Sequence, residues 1–282
     1  MAQSKSFSVG IAGVTGKFAG LILDSLLENS NVSIRGYCRN ASKLASRYVQ
    51  SSQMEVVQGD ATDPNTLSKF VDGLDVVICA YLGDNDFMVN AQKALVDACD
   101  KARVPRYIAS DYCLDFTKLE LGQHPAKDPM KIIYDYVNEK DYVKGVHVLI
   151  GAFMETFWST YFQVWNAEEK TLVYWGTGEE TWESTTYGDA AKFTAAVALD
   201  PNAVGLQKCE YNKDFDMPSL VYHLTFTVLG DKKNIYEIAQ AIKNAYGFTP
   251  KLQREGSLDD LYNTMQSSFK KEPSNVYAWL AL

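Results

Sequence analysis

A doubly wound α/β fold, a parallel sheet with helices on both faces, is what this 282-residue sequence predicts. Short apolar runs alternate with amphipathic stretches through the first half, and a glycine-rich turn joins the first such pair. Size agrees: 282 residues, 46% of them hydrophobic, suffice for one large α/β domain or a core with a smaller lobe.

Strands are expected over residues 7–12, 32–37, 54–57, 76–80, 107–109 and 146–150, each a short apolar run. Helices over 18–27, 42–49, 64–71, 87–102 and 129–138 fill the gaps, with apolar residues three or four apart. Asp63-Pro64 and Asp128-Pro129 each offer a cap followed by Pro at the first helical position. Regular βα alternation of this kind demands crossover connections and therefore a parallel sheet.

Beyond residue 150 the alternation loosens, leaving a strand at 172–175 and helices at 188–199, 235–246 and 258–269. Trp158, Trp165, Trp175, Trp182 and Trp279 all lie in this half, which suits an aromatic-lined pocket or an ordinary core. The expected division is a sheet domain over 1–150 and a smaller lobe over 151–282, packed as one unit because no linker separates them. The apolar end, residues 276–282, either packs as a final helix or marks a shortened chain.

Several function classes are disfavoured. The 35 acidic against 27 basic residues give a net charge of -8, and the Lys and Arg residues form no run, so neither nucleic acid nor an anionic membrane surface is an expected partner. No signal peptide or membrane-length apolar stretch is evident, and a cytoplasmic location is expected. The five cysteines are odd in number and lack a Cys-x-x-Cys pair, so they read as reduced packing residues. His124, His147 and His223 are too dispersed for a metal site, and none is expected.

The chemistry is concentrated in Gly10-Ile-Ala-Gly13-Val-Thr15-Gly16, which follows the first strand and opens the first helix. Glycines there let the backbone turn tightly and approach a pyrophosphate, whose charge the helix N-terminus attracts. The fold is therefore expected to be of the Rossmann type. The second strand ends at Tyr37-Cys38-Arg39-Asn40 with Lys43 close behind. In such a unit Arg39 can fork onto the 2′-phosphate and Lys43 can add a point charge, so the expected cofactor is NADP(H). Asp60 falls where a side chain reaches the adenine, or else belongs to a turn and cap cluster with Asp63. Ala80, ending the fourth strand, completes the expected cofactor contacts.

Ser110, at the end of the fifth strand, lies at the edge where this fold takes nicotinamide, with Asp111 and Tyr112 just beyond; a hydroxyl of Ser110 or Tyr112 could bond a substrate oxygen. Phe153, Met154, Phe157 and Trp158 follow the sixth strand as a candidate wall of the substrate pocket, or as core. Tyr136-Val-Asn-Glu-Lys140 matches the Tyr-x-x-x-Lys pair of short-chain dehydrogenases in letters only, since Tyr136 falls about two helical turns from the end that faces the cofactor.

Taken with the glycine loop and Arg39, further segments carry a resemblance. Gln92 with its helix, Val104-Pro-Arg-Tyr-Ile-Ala-Ser110-Asp111-Tyr112 and Gly151-Ala-Phe153-Met154-Glu155 belong to it, as do Trp175-Gly-Thr-Gly178 and Thr185-Thr-Tyr187-Gly-Asp189. The chain resembles the NmrA-like and isoflavone-reductase-like branch of atypical short-chain dehydrogenases, the fungal NmrA-like proteins in particular. The resemblance implies the fold, NADP(H) and a small-molecule substrate. It also implies a role for Lys131, which matches the catalytic lysine of isoflavone-reductase-like enzymes and would hold the nicotinamide ribose or donate a proton. The resulting expectation is an NADPH-dependent reductase of a small aromatic or polyketide-like carbonyl or enone. A non-catalytic NADP(H)-sensing regulator and a non-redox isomerase or cyclase are the alternatives, and a homodimer or protein partner stays open.

Overall fold

The computed structural model describes residues 6–208, 231–275 and 278–279. The expected strands become β1 (Phe7–Ala12), β2 (Val32–Cys38), β3 (Met54–Gln58), β4 (Val76–Cys79), β5 (Arg106–Ile108) and β6 (Lys144–Leu149). Between them run α1 (Lys17–Leu27), α2 (Ser46–Val49), α3 (Pro64–Val71), α4 (Asn85–Lys101) and α5 (Asp128–Asn138). There follow β7 (Ala152–Phe153), α6 (Met154–Phe157), β8 (Trp165–Asn166), β9 (Thr171–Trp175), β10 (Trp182–Thr185), α7 (Tyr187–Leu199) and β11 (Gly205–Lys208). The chain then forms β12 (Asp231–Lys233), α8 (Ile235–Tyr246), β13 (Lys251–Gly256) and α9 (Leu258–Lys271).

Two compact units result. The first extends to Tyr112 and adds Phe116–Leu149 and Ala190–Lys208; the second takes Cys113–Asp115, Ile150–Asp189 and the described residues after 230. The first unit holds a seven-stranded sheet in the order β11-β6-β5-β4-β1-β2-β3, parallel at every described pairing. The doubly wound α/β prediction is met, and the sheet gains one strand. β11, Gly-Leu-Gln-Lys, has neither an apolar run nor alternation; only its parallel pairing with β6 makes it a strand.

Local chemistry explains the helices. Asp63 accepts from the Asn65 N–H and Pro64 opens α3 as expected, while α4 is capped by Asp84 and buries Met88, Ala91, Gln92, Leu95, Val96 and Cys99 on one face. The other Asp-Pro pair differs. Asp128 lies inside α5, because a tight turn at Pro125–Lys127 runs straight into the helix, and its carboxylate accepts from the Gly122 N–H instead. The helix expected over 42–49 is also broken. Asn40 caps a 3-10 turn over Ala41–Lys43, after which Leu44 and Ala45 are extended, so that Leu44 and Tyr48 both reach the interior. The Tyr48 hydroxyl donates to Asp24 of α1 at 2.8 Å.

Arg106 of β5 is buried, and its guanidinium donates to the carbonyls of Val197, Ala198 and Asp200 at the C-terminal end of α7. Those carbonyls have no later helical N–H to accept, and the dipole makes that end negative. Burial pulls the Arg106 pKa down, and the nearby Asp200 and Asp75 charges oppose it.

The second unit carries two three-stranded sheets, β12-β10-β7 and β13-β9-β8. Its core gathers Phe157, Val164 and Leu172 with Ile235, Ile238 and Ile242 from α8. Of the apolar end only Ala278 and Trp279 are described, Trp279 being fully buried against Phe269 at 4.8 Å. Cys209 and His223 lie outside the described residues. Among the described residues no helix is long and apolar enough to cross a membrane, and no His, Cys, Asp and Glu group could hold a metal.

Candidate functional site: a glycine-lined crevice and an aromatic cavity

In the first unit β1 has β4 on one side and β2 on the other, so the chain winds in opposite directions from it. The carboxyl ends of strands at such a switch point open a crevice suited to a dinucleotide. The glycine turn sits there. Gly13 has φ +81°, and a Cβ on it would lie 2.8 Å from the Ala80 carbonyl oxygen, so only glycine permits this close approach. The Gly13 and Val14 N–H groups donate to Tyr37 O at 2.9 and 3.2 Å, which ties the turn to β2. Gly16 occupies the N-cap of α1 and brings no side-chain acceptor to its first turn, while Thr15 is half-buried beside it. Gly10 is placed differently: it lies within β1, where Leu74, Phe70 and Val77 fill the space a side chain would need.

Arg39 and Lys43 are both exposed past the end of β2, and Arg39 has no hydrogen-bond or ion-pair partner among the described residues. Asp60 is exposed on the neighbouring turn. Hydrogen bonds from the Thr62 N–H and hydroxyl hold its carboxyl below the usual range, and the positive charge of Arg39 adds to this.

The segment after β5 is held from three directions. Gln92 of α4 accepts from the Tyr107 hydroxyl at 2.8 Å and from the Ser110 N–H at 3.0 Å, and the Ser110 hydroxyl donates to Tyr81 O at 2.7 Å. With its proton committed, Ser110 is left able to accept. Asp111 Oδ2 meets His147 Nδ1 of β6 at 2.7 Å, both side chains being essentially inaccessible. Sequence reasoning missed this pair, although a lone His within the apolar run Val146-His147-Val148 signals a buried partner. Tyr112 then adopts φ +40°, a left-handed conformation a bulky residue rarely takes. Its ring packs edge-on against Phe18 of α1 at 4.7 Å, and its buried hydroxyl has no hydrogen-bond partner among the described residues. Burial raises the Tyr112 pKa well above its usual value.

Lys131 lies in the first turn of α5, half-buried and without a hydrogen-bond or ion-pair partner among the described residues. The Tyr136 and Lys140 pair is engaged elsewhere: both donate to Asp97 of α4, at 2.7 and 2.6 Å, on an exposed face. The approach to α5 contains His124, whose pKa burial lowers to about 4, with the Lys127 charge assisting. A group whose folded pKa falls below its unfolded 6.5 stabilises fully above 6.5, and that contribution is lost as pH falls toward 4. The melting temperature is therefore expected to drop on acidification through this window, and His124→Gln to flatten the drop; parallel melts of the two proteins check it.

The second unit has its own cavity, of about 620 Å³, to which Met154, Phe157 and Trp158 contribute. Trp165, Trp182, Tyr246 and Phe248 complete its aromatic walls. Phe153 does not line it; its ring stacks on Tyr187 at 4.0 Å. Such a volume matches a drug-sized molecule.

Residues 13–145 match the family described as NAD(P)H-binding. Isoflavone reductase of Medicago sativa is 25% identical over 164 residues, which cover 55% of this chain and 49% of that enzyme, so the match spans about half the relative's length. The fold is shared with the leucoanthocyanidin reductase–NADPH complex from Vitis vinifera (TM-score 0.74, 17% identity, 97% of this chain and 85% of that one). It is shared also with the Citrobacter sp. triphenylmethane reductase complexed with NADP(H) (TM-score 0.66, 17% identity, 98% and 90%).

Proposed function

From a chain that fits the NmrA-like and isoflavone-reductase-like family, we propose an NADPH-dependent reductase that acts on a carbonyl or conjugated carbon of a small aromatic or polyketide-like molecule. The observation that carries this reading is the turn at Gly13, whose φ of +81° and close approach to the Ala80 carbonyl lead the chain from β1 straight into the N-terminus of α1, where the N–H groups would take a pyrophosphate. The NADPH complex of one structural neighbour and the NADP(H) complex of another support the choice of cofactor. When bound, that cofactor supplies the hydride.

The chain's own residues would do the rest. Arg39, exposed and without an ion-pair partner among the described residues, would fork onto the 2′-phosphate, with Lys43 adding charge. Thr15, Gly16 and Ala80 would border the pyrophosphate, Asp60 the adenosine. Tyr112 would donate a hydrogen bond to the substrate oxygen, Ser110 would accept one, and Lys131 would hold the nicotinamide ribose or give a proton to the developing alkoxide or enolate. In the second unit, the aromatic cavity with Met154, Phe157 and Trp158 would bind a small aromatic molecule. A second reading, an NADP(H)-sensing regulator, is favoured by the engagement of Tyr136 and Lys140 with Asp97, which leaves the chain without the usual Tyr–Lys proton relay.

Calorimetric titration with NADPH and NADH, followed by an enone and aromatic-ketone panel, tests the proposal. Arg39→Ala is expected to weaken NADPH binding by about 10- to 100-fold and leave NADH nearly unchanged. Tight NADPH binding with no consumption across the panel would favour the regulator, and an unchanged preference in Arg39→Ala would remove Arg39 from the site.

A further inference from the structure

We propose that the buried Asp111–His147 pair is a positioning device for the reduction: it holds the segment from Ser110 to Tyr112, and through it the Tyr112 hydroxyl, in the geometry that turnover requires. The inference rests on the reading of Tyr112 as a hydrogen-bond donor to the substrate oxygen.

Tyr112 needs such a support. At φ +40° its backbone occupies a region that a bulky residue leaves unless its surroundings hold it there. Asp111, the residue before it, is fixed at both ends: its N–H donates to Ala109 O at 2.9 Å, and its Oδ2 meets His147 Nδ1 at 2.7 Å. The peptide plane that Asp111 shares with Tyr112 is thereby oriented from β6, while Phe18 bears on the ring from α1. The anchor itself is firm. β6 runs between β5 and β11, and the His147 ring is walled by Phe116 at 6.0 Å and by Tyr134 of α5 at 4.8 Å. Gly145, two residues earlier on the same face of β6, clears a place for the imidazole: a Cβ there would lie 2.9 Å from His147 Nε2.

Stability alone does not account for the pair. Asp111 Oδ1 and His147 Nε2 are buried and have no hydrogen-bond partner among the described residues, so each side chain has only its bond to the other to offset the loss of water. Apolar residues of similar volume serve a core at least as well as a pair compensated so thinly. They cannot fix the direction of the neighbouring residue, because dispersion contacts lack the angular preference of a hydrogen bond.

The test replaces the pair by Asp111→Leu with His147→Leu and follows turnover of a reactive enone or ketone from the panel. This apolar pair leaves no lone charge buried, so the variant is expected to melt near the unsubstituted protein and to bind NADPH within about 3-fold, while kcat falls by about 10- to 100-fold, the cost of a displaced group. His147→Asn puts an amide nitrogen where Nδ1 stood and should keep most of kcat. Should the apolar pair melt early, His147→Gln, whose amide reaches the Nε2 position instead, gives the same contrast with His147→Asn. Made in Tyr112→Phe, either disabling change should cost almost nothing further, since the hydroxyl it aims is gone. A loss of turnover that is the same with and without that hydroxyl, or equal kcat in the Asn and Gln variants, overturns the inference and leaves the reductase reading standing. No turnover by the unsubstituted protein across the panel overturns both.

Discussion

Lys131→Ala is expected to lower kcat by about 10²- to 10⁴-fold, the range for removal of a general acid, while NADPH binding weakens by no more than about 10-fold. The reasoning starts from a cost. Lys131 holds a cation in the first turn of α5, the positive end of that helix, half-buried and without an ion pair among the described residues. A like charge there destabilises by about 0.3–1 kcal/mol, so the fold gains nothing electrostatic from it, whereas a bound ribose or a developing oxyanion would. Lys131→Arg separates the two proposed duties. It keeps the charge and the hydrogen bonds that would hold a ribose, but a guanidinium gives up no proton near neutral pH, so cofactor affinity should recover and turnover should not. Single-turnover and binding measurements on the three proteins check this, and unchanged turnover in Lys131→Ala would remove it from the chemistry.

Arg106→Met is expected to destabilise the protein by about 3–5 kcal/mol, the loss typical of removing one partner from a buried charged network. Arg106 is 3% exposed and its guanidinium donates to the carbonyls of Val197, Ala198 and Asp200; on its removal Val197 and Ala198 lose this donor, while Asp200 keeps only the Ala203 N–H. Because α7 leads into β11, the sheet edge should loosen with it. A fall of roughly 10 °C in the melting temperature is expected. Arg106→Lys should recover only part of it, since one ammonium cannot span three carbonyls at once. Amide exchange in β6 and β11 would locate the loss; protection unchanged there would contradict it.

The sequence by itself determined the features that are local. The central strands were legible because a strand buried on both faces reads as an unbroken apolar run, as in the Val-Val-Ile-Cys of β4, and β2 because apolar and polar residues alternate along its first half. The glycine turn was legible because a backbone with φ +81° pressed against a carbonyl excludes every side chain, and that exclusion leaves a mark in the letters. Arg39 could be singled out because its distance from the end of a strand is counted along the chain, and Lys131 because the family resemblance points to that position.

Tertiary structure decided whatever depends on residues far apart. β11 is a strand only through its pairing with β6, more than fifty residues earlier in the chain. The Ser110 segment is fixed by Gln92 and by an Asp111–His147 pair 36 residues apart, and no periodicity connects such groups. The break at Leu44 came from the pull of the interior on Leu44 and Tyr48, which outweighed the helical spacing of the segment. The cavity needs α6, β10, β12 and α8 at once, and whether Lys233 faces it or solvent turns on the register of β12 against β10, where a shift of one residue exchanges Lys233 for Lys232.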